Sequence, residues 1–157
     1  MMKKRLLLAV LGLSLAATSA VGFAMSHQDA RNTANGFVPA DAKYSYVSED
    51  EDSIDVFYRS ATNLYEVDVS KLSGRVTDVS IDRLNPKLSA SVNISAADAK
   101  AAVLAVYPDA KITKVALDRD TYKVTYDVKF VDKGVRGDAD VLASDGTILE
   151  IDLDYKK

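Results

Sequence analysis

A change of apolar period at Pro108 constrains this chain more than any other feature. Before it, Ala99, Ala102, Val103 and Val106 recur on one helical face. Ser95 stands where that helix should start, its hydroxyl placed to accept from the Asp98 amide, with Asp98 a short version of the acidic half of a capping box. Ile94 and Ala99 are spaced as a small hydrophobic staple. Pro108 ends the helix, because the residue before a proline is pushed out of the helical region. After it the period becomes two. Thr113, Val115 and Leu117 alternate with Lys114 and Ala116; Tyr122, Val124, Tyr126, Val128 and Phe130 alternate with Lys123, Thr125, Asp127 and Lys129. Polar or glycine-bearing links at 118–121, 132–134 and 144–147 separate these runs from Ala139-x-Val141-x-Ala143 and from Leu149-x-Ile151-x-Leu153. Links this short join antiparallel neighbours, so the stretch predicts one helix across a four-stranded meander.

An earlier segment repeats the plan. Ser26, Asp29, Ala30, Phe37 and Pro39 keep the mutual spacing of Ser95, Asp98, Ala99, Val106 and Pro108. After one extra residue, Ile54, Val56 and Tyr58 fall on Tyr122, Val124 and Tyr126. Past a shorter loop, Val67, Val69, Gly74, Val76 and Val79 fall on Ala139, Val141, Gly146, Ile148 and Ile151. Caps, prolines and glycines coincide as well as the alternation, which indicates an internal repeat. The first helix is the weaker copy, since Arg31, Asn32, Thr33, Asn35 and Gly36 include poor helix formers. Residues 83–93, with Asn85-Pro86 and Ser89-Ala90-Ser91, read as a linker. Each copy, at roughly 60–65 residues without a disulfide or metal staple, would be marginal alone. The copies are therefore expected to pack together or to run their sheets into one another.

The residues of the second copy resemble the PepSY family. The pattern is Ile94-Ser95, Ala99 and Ala102, Tyr107-Pro108 with Ala110, Val115-x-Leu117, Tyr122-x-Val124, and Val141-x-Ala143 with Gly146-x-Ile148-Leu149. Asp109 stands where the family often has glycine, and Ser144-Asp145 replaces its usual pair before Gly146. The resemblance implies an α+β fold of two tandem PepSY-like units, each one helix on a four-stranded antiparallel sheet: a degenerate unit at 26–82 and a clear one at 94–155. It also implies an extracytoplasmic setting and a link to protease propeptides and peptidase inhibition. No protease domain follows in this sequence, so any such action would be in trans.

The start of the chain agrees with export. Met1 to Arg5 is basic, Leu6 to Ala17 apolar, and Thr18 to Ala24 rich in small residues. Residues 1–24 thus read as a secretory signal peptide with cleavage after Ala20 or Ala24. The alternative is an uncleaved anchor, since the apolar run is about as long as the shortest membrane-spanning helix. Loss of Lys3, Lys4 and Arg5 takes the formal charge from −3 to −6. An acidic mature protein is poorly suited to nucleic acid or to an anionic membrane surface. With no cysteine in the chain, disulfides, thiol nucleophiles and zinc–thiolate sites are excluded.

No catalytic constellation stands out. His27 is the only histidine and has no visible partner for acid–base work. Glu49-Asp50-Glu51-Asp52 reads as a solvated hairpin loop. The pairs Asp118-x-Asp120, Asp138-x-Asp140 and Asp152-x-Asp154 lack the ligand spacing of a calcium loop. No glycine-rich phosphate loop is present, and no cofactor or metal is implied. The polar phase of the strands is the candidate binding surface: Phe57 and Arg59 beside Asp55 in one copy, Lys123, Thr125, Asp127 and Lys129 in the other. The sequence thus describes an exported, non-catalytic module for a protein or peptide partner, a peptidase being the partner that the resemblance implies. Two alternatives stand beside it. One is a self-associating envelope protein with no protease link. The other is an enzyme working with carboxylates alone, which needs two acids at a fixed separation in a cleft.

Overall fold

Ser26 and Ser95 cap the two helices as their spacing predicts. In the computed structural model, which describes residues 25–155, Ser26 Oγ accepts from the Asp29 amide at 3.1 Å at the start of α1 (His27–Ala34). At α2 (Ala96–Val106) the capping box is reciprocal: Ser95 Oγ accepts from the Asp98 amide at 3.2 Å, and the Asp98 carboxylate accepts from the Ser95 amide at 2.8 Å. Helix α1 is short and gives way to a 3-10 turn over Asn35–Phe37, where Asn35-Gly36 cannot sustain an α-helix. The proposed leader lies outside the described residues. Among the described residues no helix is long and apolar enough to cross a membrane.

Eight strands follow in two runs: β1 (Lys43–Glu49), β2 (Ser53–Arg59), β3 (Asn63–Ser70) and β4 (Val76–Arg83) after α1, then β5 (Lys111–Arg119), β6 (Val124–Asp132), β7 (Val135–Leu142) and β8 (Ile148–Asp154) after α2. Two separate four-stranded sheets do not form; of the two expected arrangements, the copies run their sheets into one another. All eight strands join one antiparallel sheet in the order β1-β2-β3-β4-β8-β7-β6-β5. The seam is β4 against β8, with Val79 opposite Leu153, Ser80 opposite Asp152 and Ile81 opposite Ile151. Physical need accounts for the fusion. Two separate sheets would leave β4 and β8 as unpaired edges, and the seam satisfies both.

One register line crosses the whole sheet on its covered side: Val47, Val56, Val67, Val79, Leu153, Gly137, Phe130, Ile112. Helix α1 lies over β2 and β3, and α2 over β5, β6 and β7, so both helices cover this one face. Ala30, Ala34, Ala99 and Val103 are fully buried there, in one continuous core with Ile54, Val56, Val67, Val128 and Val141. Small residues on the helices let them approach the sheet closely. Tyr58 and Tyr126 fasten them. Tyr58 Oη donates to Asn35 Oδ1 at 2.7 Å, and Tyr126 Oη donates to the Ile94 carbonyl at 3.1 Å.

Two details of the expected strands change. Tyr122 is not in the core; it is 77% exposed, because β6 begins only at Val124 and Tyr122 sits in the preceding turn. In β5 a bulge between Ile112 and Lys114 shifts the phase, so Ile112 rather than Thr113 packs inward with Val115, while Leu117 is left 38% exposed. Of the expected linker, Arg83 belongs to β4, and 84–93 has no regular structure but is tied down: the Ser89 carbonyl accepts from the Val124 amide, and the Asn93 amide donates to the Ala143 carbonyl.

Candidate binding face

Helices cover one side of the sheet, and the side chains of alternate residues project from the other. The sequence-predicted residues lie on that bare side, in two separate places. Phe57 and Arg59 are on β2; Thr125, Asp127 and Lys129 are on β6, with Lys123 just before it. Five strand spacings separate β2 from β6, roughly 24 Å, so these residues do not form one site. Thr125 is not available at all, being 1% exposed opposite Leu142.

The β6 group is a salt-bridged patch. Lys129 pairs with Asp138 and lies 3.7 Å from Asp127; Lys114 lies 3.9 Å from Asp127 and Lys123 3.3 Å from Asp140. Asp127 titrates above the usual carboxylate range because it hydrogen-bonds to Asp138 and is partly desolvated. Asp138 moves the other way: burial would raise it, but the bonds from Asp127 and Lys129 outweigh that and hold it ionised. The β2 group is different. Phe57 stacks on Tyr46 of β1, with ring centroids 4.4 Å apart and planes 12° from parallel, and Tyr46 is 53% exposed.

Between these ends lies what the sequence reading missed. Register places carboxylates opposite one another from strand to strand. One row runs Asp55, Asp68, Asp78, Asp154; another runs Phe57, Glu66, Ser80, Asp152, Asp138; a third runs Asp82, Glu150, Asp140, Asp127. Strands β3, β4 and β8 contribute only carboxylates as charged groups to this face; Arg83, the one cation in them, ends β4 and lines a cleft beside α2 on the covered side. Like charges opposite each other across a sheet are unfavourable, and proton affinity rises in response. Asp68 is pushed up to about 7, by burial first and then by Asp55, Glu66 and Asp78. Glu66, Asp82 and Glu150 also titrate high, in each case by burial first and neighbouring carboxylates second.

The β5–β8 part of this face dips into a shallow trough of about 490 Å³, with Asp127, Asp138, Glu150 and Asp152 along it and Ala116 and Leu117 at its β5 side. At the other end, oxygens of Asp55, Glu66 and Asp68 lie within 4.8 Å of one another, a spacing one cation can span. Three carboxylates are half or fewer of the oxygens a calcium ion takes, and Asp55 already accepts from Ser53 Oγ at 2.7 Å, so the trio alone does not define a metal site. His27 is held in a surface cluster, its Nε2 3.1 Å from Glu49, which also pairs with Lys71 at 2.8 Å.

Residues 93–154 match the PepSY family model, described as the peptidase propeptide and YPEB domain. This is the segment in which the capping box, Tyr107-Pro108 and the strand motifs carry the resemblance. No curated protein matches the chain. Among solved structures, a candidate lipoprotein from Clostridium difficile 630 is 16% identical, with 83% of this chain and 94% of that one covered at a TM-score of 0.36. The YpeB C-terminal domain of Bacillus megaterium is 14% identical over 84% of this chain and 66% of its own, at a TM-score of 0.36. A DUF2874-family protein of Bacteroides uniformis is 11% identical over 81% of this chain and 88% of its own, at 0.33.

Proposed function

We propose, from the premise that residues 93–154 are a PepSY domain, that this protein is an exported, non-catalytic binding module that modulates a peptidase in trans. The observation that carries the reading is the asymmetry of the sheet: both helices cover one side, and among the described residues no helix covers the other side of the eight strands. A fold whose helices are spent on one face leaves the opposite face for a macromolecular partner. Within this reading residues 26–82 form a second, degenerate unit of the same plan. Their helix-then-four-strands order and the matched fastening by Tyr58 and Tyr126 support that division. The basic, apolar and small-residue segments of 1–24 support export with removal of the leader.

The test is direct. Extracytoplasmic peptidases of the source organism are assayed with and without the purified protein, and the mature N-terminus is sequenced. The expected result is a dose-dependent change in at least one peptidase and a chain beginning at Val21 or Met25. Unchanged activity of every peptidase would sink the modulation reading, and an intact Met1 in the envelope fraction would sink cleavage.

A further inference from the structure

The bare face is not a neutral platform, and its charge indicates its occupant. The cations on its strands sit near the two margins. Lys114, Lys123 and Lys129 neutralise Asp127, Asp138 and Asp140 at the β6 end, and Arg136 pairs with Asp154. Among the described residues no lysine or arginine forms a salt bridge with Glu66, Asp68, Asp82 or Glu150, Lys123 acting on Glu150 only at longer range, and each of the four is raised in proton affinity by burial first and by neighbouring carboxylates second. The seam compounds this. Asp82 faces Glu150 across the junction of β4 with β8. A fold that aligns carboxylates on adjacent strands accepts self-repulsion. An added positive charge there relieves it.

A second feature on the same face also favours a cation. The Tyr46–Phe57 stack is continuous with the acidic row, since Phe57 lies opposite Glu66. An exposed aromatic pair beside carboxylates receives a guanidinium or ammonium group on its ring face. From β2 to β7 the belt crosses four strand spacings, roughly 19 Å, which is the reach of about six residues of extended chain.

We propose that this belt docks an extended, lysine- or arginine-rich segment of the partner protein, with one cationic side chain received against the Tyr46–Phe57 stack. The proposal rests on the reading of the bare face as the binding surface. Anionic membranes and nucleic acids are repelled by the same charge.

The test uses the full-length protein and three fluorescent peptides of equal length: one alternating lysine with threonine, one alternating glutamate with threonine, and one of serine and threonine. Affinity is measured by anisotropy at low salt and at about 0.5 M salt, where the Debye length falls to a few ångströms. The lysine peptide should bind, and the other two should not. Binding should weaken by about tenfold or more in Asp82→Asn/Glu150→Gln and in Tyr46→Ser. It should be unchanged in Glu51→Gln/Asp52→Asn, which removes equal charge from the hairpin loop. Equal loss in that loop variant would mean general attraction to an acidic protein and would overturn the proposal. Preferential binding of the uncharged peptide, lost in Tyr46→Ser, would overturn the charge inference while leaving the bare face as the binding surface. If no peptide bound, both would fall.

Discussion

The ring of Phe130 lies across Gly137, its partner on β7, so closely that a β-carbon on the glycine would come within 2.5 Å of three ring carbons. The ring is fixed from the other side by Tyr107, with centroids 5.0 Å apart, and is 1% exposed. It has nowhere to retreat. Gly137→Ala should therefore destabilise the protein by about 2–3 kcal/mol through overpacking. Urea denaturation monitored by circular dichroism reads this. Phe130→Leu in the same chain should recover part of the loss, and a simple sum of the two single effects would show that the ring contact is not the cause.

Tyr58 joins the last turn of α1 to the sheet by donating to Asn35 Oδ1 and lying 3.2 Å from the Arg31 carbonyl. Tyr58→Phe keeps the ring and removes the link. Loss of about 1 kcal/mol is expected, concentrated in the short helix. Hydrogen exchange should speed up in residues 30–37 and stay constant in α2. Tyr126→Phe should give the converse, loosening the start of α2 near Ile94.

Asp68 couples the acidic belt to pH. It faces Asp55 on β2 and Asp78 on β4, with Glu66 beside it on β3. Its ordinary value of 3.8 applies in the unfolded chain, and its folded value is about 7. The folded state therefore holds this proton more tightly. The resulting stabilisation is fully present below pH 3.8 and is lost as pH rises through 7. Glu66, Asp82 and Glu150 shift in the same direction. Stability should fall as pH rises from about 4 to about 7, by on the order of 2 kcal/mol once the shift is discounted for partial exposure of the group. Asp68→Asn should flatten most of that slope and raise the melting temperature at pH 8. A slope unchanged by this substitution would show that other groups set it.

The segment between β4 and α2 is the natural place for a protease to cut, since residues 84–95 carry no regular structure. A cut near Pro86 should nevertheless leave both fragments associated, because the β4–β8 ladder and the shared core hold them. Gel filtration of the nicked protein should give one peak at the size of the intact chain. Two separately eluting, folded fragments would contradict this.

Helix α2 and the strands after it were legible because local chemistry and tertiary packing agree there. Ser95 and Asp98 specify the start, Pro108 the end, and the alternation Val124 to Phe130 the buried side of β6. Tyr122 misled because alternation continues into the turn before β6, and periodicity does not mark where hydrogen bonding begins. Thr113 misled because a bulge is one residue of slack that composition does not announce. The acidic belt was half visible. Asp138-x-Asp140 and Asp152-x-Asp154 place their carboxylates on one side of each strand, which the sequence does show. That β4 would lie against β8, setting Asp82 beside Glu150, depends on strand order across the sheet, and no local pattern encodes that.

The seam has one more consequence. Across it Ser80 faces Asp152, which is also its counterpart in the internal repeat, and Val79 and Ile81 face the counterparts of each other. Such a register has local two-fold symmetry, the arrangement by which two identical subunits would join through the same strand. Here both partners belong to one polypeptide, so their union is unimolecular. Dilution, which dissolves ordinary dimers, leaves this one intact.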